Sequence, residues 1–105
     1  MPQGARMIIS AAKIRALGVD WPGSKAVEDC EVASTQGIDL DATLLALEQS
    51  LSFYERELSE MYAFQRKYNA DWNDVTDHRE DYSVRAAELR RGIATIKEVL
   101  AKVAR

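Results

Sequence analysis

A single cysteine, Cys30, and a single histidine, His78, stand among 105 residues. Cys30 has no partner for an internal disulfide, so the pattern is not that of a stapled secreted domain. One histidine cannot build a His-based metal cluster or a His pair within one chain. Long apolar runs are also missing. The longest near the first helical segment is Leu44, Leu45, Ala46 and Leu47, far short of a membrane span. Surplus positive charge is absent: the formal net charge is -3 and the pI about 5.1, which argues against non-specific binding to phosphate backbones. Arg6 followed by Met7, Ile8 and Ile9 is too little for a secretory signal. No repeat or low-complexity tract occurs. These absences predict a cytoplasmic protein with no membrane, nucleic-acid or cofactor dependence.

What remains is strongly patterned. Apolar residues make up 47% and charged residues 30%, a composition that excludes a disordered chain, and the length suits one domain over residues 1–105. From Leu40 to Tyr68 the positions Leu40, Leu44, Leu47, Leu51, Tyr54, Leu58, Met61, Gln65 and Tyr68 step alternately by four and three. Tyr82, Ala86, Leu89, Ile93, Ile96, Leu100 and Val103 do the same. Such spacing puts one apolar stripe along each of two helices that wrap around each other. The expected fold is therefore all-α: a long antiparallel, coiled-coil-like hairpin over residues 40–68 and 75–104, bent near residues 70–75. Its layers match when Leu44 faces Val103, Leu47 faces Leu100, Leu51 faces Ile96 and Tyr54 faces Ile93. Leu58 with Leu89, Met61 with Ala86 and Gln65 with Tyr82 continue the series. Flanking charges fall opposite one another in the same scheme, as Glu48 with Lys97, Glu55 with Arg90 and Glu57 with Arg85. Pairs of this kind contribute only ~0.3–0.5 kcal/mol each, so they select orientation rather than supply stability.

Residues 1–37 form an irregular N-terminal part ahead of the hairpin segment 38–105. Residues 5–17 read as a short helix with Met7, Ala11 and Ile14 on one face and Gly18 as a left-handed stop. Val19 to Gly23 is a turn, Ser24 caps a second short helix running to Gln36, and Gly37 closes it. Asp39 is placed to cap the first long helix, with Asp41 at the positive end of its dipole. The seams leave apolar surface over. Ala87, Ala94 and Ala101 recur every heptad beside the main stripe, Val99 flanks it, and Leu45, Ala46, Phe53, Tyr62 and Phe64 lie outside or widen the first seam. Small residues at regular spacing let another helix approach closely. A thirteen-residue helix reaches ~20 Å while the hairpin helices reach ~40 Å, so the N-terminal helix covers only part of this surface. A homodimer completing a helical bundle is expected, with the pairing within one chain or swapped between two.

Little chemistry is written into the pattern. His78 lies near Asp74, Asp77, Glu80 and Asp81, where carboxylates could hold a divalent ion. The adjoining Asp71-Trp72-Asn73-Asp74-Val75, however, lacks the third ligand and the glycine of a calcium loop. Glu57 and Glu60, with Asp77 and Glu80, resemble the helical magnesium sites of nucleotide pyrophosphohydrolases, although acids three apart also belong to any solvated helix face. Cys30 sits between Asp29 and Glu31, which disfavours a thiolate. Residues 5–36 can be read as helix-turn-helix, but Glu28, Asp29 and Glu31 on the second helix repel phosphate. Trp21 reads as a plug folded onto the core and Trp72 as an interface anchor at the bend. The leading expectation is a non-enzymatic protein–protein interaction module, such as an adaptor, assembly factor or inhibitor. Its contact residues would be Trp72, Tyr62, Phe64, Phe53, Ala87, Ala94 and Ala101. The alternatives are a nucleic-acid-associated regulator using the N-terminal segment, and a metal-dependent enzyme at the carboxylates near the bend.

Overall fold

A computed structural model describes residues 7–68 and 73–104, and of Tyr68 and residues 73–78 the backbone alone. The molecule is mostly helical, and two long helices dominate it: α3 (Leu40–Tyr68) and α4 (Asn73–Val103), packed as a hairpin. Ahead of them come β1 (Ile8–Ile9), α1 (Ala11–Ala16), α2 (Lys25–Cys30), β2 (Ala33–Ser34) and β3 (Gly37–Asp39). The expected helical hairpin is present, and a small antiparallel sheet of the three short strands, in the order β1-β3-β2, is added to it.

Local chemistry explains where the short helices stop. The helix expected over 5–17 is only α1, because Ser10 is its cap: the Ser10 hydroxyl accepts the Lys13 N–H at 3.2 Å. Ile8 and Ile9, β-branched residues suited to a pleated surface, pair instead with Asp39 and Ile38 of β3. Gly18 adopts φ 86°, the left-handed stop its position suggested. Ser24 caps α2 by accepting the Val27 N–H at 3.3 Å. That helix ends at Cys30 rather than Gln36, since Glu31 is already extended (ψ 127°). The following residues turn back as a β2–β3 hairpin, with Ala33 opposite Ile38 and Ser34 opposite Gly37. Gly37 begins a strand and does not close a helix. At φ 139°, a Cβ there would lie 2.6 Å from the Ile9 carbonyl oxygen, so the close approach of β1 needs glycine.

Asp39 caps α3 as expected, its Oδ1 accepting the Ala42 N–H at 3.0 Å. One turn on, buried Thr43 donates its hydroxyl to the Asp39 carbonyl (2.8 Å) and accepts the Val32 N–H (3.0 Å). The sheet is thereby fastened to the start of the long helix. At the far terminus the Lys102 ammonium donates to the Leu17 carbonyl at 3.1 Å, tying the end of α4 to the end of α1.

The core sits where these elements meet, at the open end of the hairpin. Ile14, Val19, Trp21, Ala26, Val27 and Ile38 from the N-terminal part pack with Leu40, Leu47, Leu89, Ile96 and Val99. Val99, on the flank of the α4 seam, is fully buried by this cover. Trp21 is the plug that the sequence suggested: it is 5% exposed, and its indole N–H donates to Glu31 Oε2 at 3.2 Å.

The hairpin register differs from the expected one by about a heptad. Leu47 stands against Gly92 rather than Leu100, and the Tyr54 ring meets Tyr82 edge-on at 5.1 Å rather than facing Ile93. Sliding two heptad seams by seven residues restores every a/d layer, so the stripes alone leave both registers open. Helix length decides between them. With α3 running to Tyr68 and α4 already starting at Asn73, only a short connection is left, which suits the nearer register. Of the flanking charges, Glu55 and Arg90 do pair at 3.0 Å through their long side chains. Arg85 lies 3.9 Å from Glu88 on its own helix instead of reaching Glu57.

Candidate partner-binding surface

The N-terminal part covers only the open end of the hairpin, and α3 and α4 continue past it toward the bend. In this projecting half the seam residues Leu58, Met61, Gln65 and Tyr82 are half-buried, because a lone helix pair has no third layer to close over them. Cross-helix contacts hold the arm together. The Arg79 guanidinium donates to Gln65 Oε1 at 3.2 Å and lies 5.5 Å from the centre of the Tyr62 ring, a cation–π contact. Tyr54, packed edge-on between Phe53 (5.2 Å) and Tyr82, marks the base of the arm.

Large apolar side chains face outward here. Phe53 and Tyr62 are each 42% exposed, Phe64 39% and Val84 57%. The expected contact residues therefore divide by place. Tyr62 lies on one flank of the α3 seam, whereas Phe53 and Phe64 lie on the other, by the hundred-degree step of the helix. Ala94 and Ala101 are exposed and Ala87 half-buried, along a ridge on the outer side of α4. Trp72 lies outside the described residues. Val84 was missed by sequence reasoning. Its position off the α4 seam, one turn before Glu88 and level with the exposed aromatics of α3, was the available signal.

Two shallow clefts flank Tyr54 where α2 meets the hairpin. The first, about 220 Å³, is lined by Ala26, Asp29, Cys30, Ser50, Tyr54, Arg85 and Leu89. It is smaller than the ~300–1,000 Å³ usual for small-molecule sites. Its charged neighbours are engaged with each other: Lys25 pairs with Asp29 at 3.1 Å, and that hydrogen bond is the first cause of a Lys25 pKa above the ordinary value. One Glu88 oxygen is buried without a hydrogen bond beside Arg85. Cys30 is half-buried and unpaired by disulfide. Among the described residues no group of three His, Cys, Asp or Glu side chains converges as a metal site. Of the residues on which the metal alternative rested, the side chains of Asp71, Asp74, Asp77 and His78 lie outside the described residues, while Glu60, Glu80 and Asp81 are exposed and Glu57 is half-buried. No described helix is long and apolar enough to cross a membrane.

Comparison with protein-family models, with curated proteins and with solved structures gives no match.

Proposed function

We propose that this chain is a non-enzymatic protein–protein interaction module that presents a helical arm to a partner protein. One observation carries the reading: α3 and α4 project past their N-terminal cover, holding Phe53, Tyr62, Phe64 and Val84 exposed on rigid helices. Aromatic side chains held on a stiff scaffold lose little entropy on binding and supply much of the energy of protein interfaces. The N-terminal part acts as the base that fixes the arm. The acidic α2, whose Lys25 is already paired with Asp29, supports a protein rather than a nucleic-acid partner. A lone half-buried thiol suits a reducing compartment, in keeping with a cytoplasmic setting.

The test is a paired capture from the native host with mild cross-linking, using the tagged protein and its Val84→Ser and Val84→Glu variants. Val84 is 57% exposed, so these substitutions leave melting unchanged. A protein retained by the wild type and lost by the variants is the expected result. A wild-type profile identical to that of the variants refutes the arm as the contact surface.

A further inference from the structure

The hairpin has two broad faces, and the N-terminal part covers one of them. Thr43, Ser50 and Tyr54 of α3 look toward α2 and the strand that follows it, as do Gly92 and Val99 of α4. Leu44, Leu51 and Leu58 fall on the opposite flank of the α3 seam, and Ile93 and Leu100 on the matching flank of α4. These five remain half-buried, whereas Leu47, Leu89, Ile96 and Val99 are buried. An apolar strip thus runs down the uncovered face.

The two rims of that strip carry opposite charge. Glu48 and Glu55 line the α3 side; Arg90 and Lys97 line the α4 side; all four are exposed. Glu55 and Arg90 meet within the chain, while Glu48 and Lys97 have no ion pair among the described residues. A face with one acidic and one basic rim is complementary to itself in a single orientation. Rotation about an axis parallel to the helices lays α3 of one copy over α4 of the other, acid over base. Rotation about an axis across the helices lays acid over acid and base over base.

We propose that the occupant of this face is a second copy of the chain, related by a two-fold axis parallel to the helices. The acidic rim of each α3 then lies over the basic rim of the other copy's α4. The result is an antiparallel four-helix bundle with the N-terminal covers on its outside and both arms pointing the same way. This assembly uses a different face from the one holding Phe53, Phe64 and Val84, while Tyr62 lies on the α3 flank that it covers; the hetero-partner reading is tested at Val84, outside the strip.

The experiment is light scattering and sedimentation of the full chain at micromolar concentration. Wild type is expected at about twice 11.8 kDa. Glu48→Lys with Glu55→Lys, and separately Arg90→Glu with Lys97→Glu, should each run as folded monomers. Mixed in equal amounts they should recover the dimer mass, because each reversed rim then meets its complement. Recovery on mixing cannot arise from misfolded components. Glu48→Lys alone, which keeps the Glu55–Arg90 pair, should shift the equilibrium the same way. A wild type that stays monomeric overturns the proposal and leaves the strip to a foreign protein or to solvent. A dimer indifferent to the reversals, or two variants that stay monomeric when mixed, also overturns it.

Discussion

Gly92→Ala sets two opposing effects against each other and so tests how the helices meet. Gly92 lies in the interior of α4, where alanine ordinarily favours the helix by about 1 kcal/mol. Here, though, the added Cβ would stand 3.0 Å from Val27 Cγ2 and 3.1 Å from Leu47 Cδ2. Both neighbours are fully buried, so neither has free space to retreat into. Overpacking of this kind costs roughly 1–3 kcal/mol, which cancels or outweighs the helical gain. The expected net effect is a loss of about 0–2 kcal/mol. Urea unfolding followed by circular dichroism measures it directly. A second background sharpens the result. Val27→Ala removes the closer methyl and itself costs about 1.6 kcal/mol or more, from two buried methyl-sized groups. In that background Gly92→Ala should become stabilising, a coupling of about 1 kcal/mol between the two positions. In the register read from the heptads alone, Gly92 would stand level with exposed Glu55, and alanine would simply stabilise. A higher urea midpoint for Gly92→Ala in the otherwise unaltered chain therefore refutes both the packing and the register described here.

Thr43→Val should lower stability by roughly 1–3 kcal/mol, since it strands the Val32 N–H, and Thr43→Ser should retain most of that hydrogen bond; thermal melting separates them. Trp21→Phe loses the 3.2 Å bond to Glu31 and some volume, whereas Trp21→Ala should cost roughly 3–5 kcal/mol, measured by the same unfolding curves. Duplex DNA should show no salt-dependent binding to the wild type, and Lys13→Glu with Arg15→Glu should change nothing. Steeply salt-sensitive association in a fluorescence titration would revive the nucleic-acid reading.

The parts of the fold visible in the sequence are those governed by short-range repetition. The α3 span followed from nine seam residues and the Asp39 cap, and Ser24 and Gly18 marked their helix ends because capping is local. The sheet escaped because its strands are two or three residues long and alternate too briefly to register. Met7, Ile8 and Ile9 suit a helix face as well as an edge strand, and only the arrival of β3 decides between them. The slipped hairpin register has a different origin: heptads repeat, so packing cannot tell one layer from the next, and the length of the connection must. At the candidate surface, Tyr62, Phe64 and Phe53 were recognisable as surplus to the seam. Their exposure depended on where the N-terminal cover ends, which no local pattern encodes. The two-sided character of the hairpin was hidden for the same reason. Until α2 has a place, Leu44 and Leu47 look alike.

Among the described residues, nearly all fully buried side chains lie at one end of a molecule 51 Å long. Anchorage and reach are therefore separate quantities in this architecture. Removing one heptad from α3 beyond Tyr54 and its counterpart from α4 before Ala86 would shorten the arm by about 10 Å and leave the base untouched. Adding a matched pair would lengthen it by the same step. A heptad removed from one helix alone would instead leave seven residues of the other without a facing layer. Spacing between whatever the two ends engage is thus adjustable in heptad increments, as on a graduated strut, without any new demand on the residues that keep the chain folded.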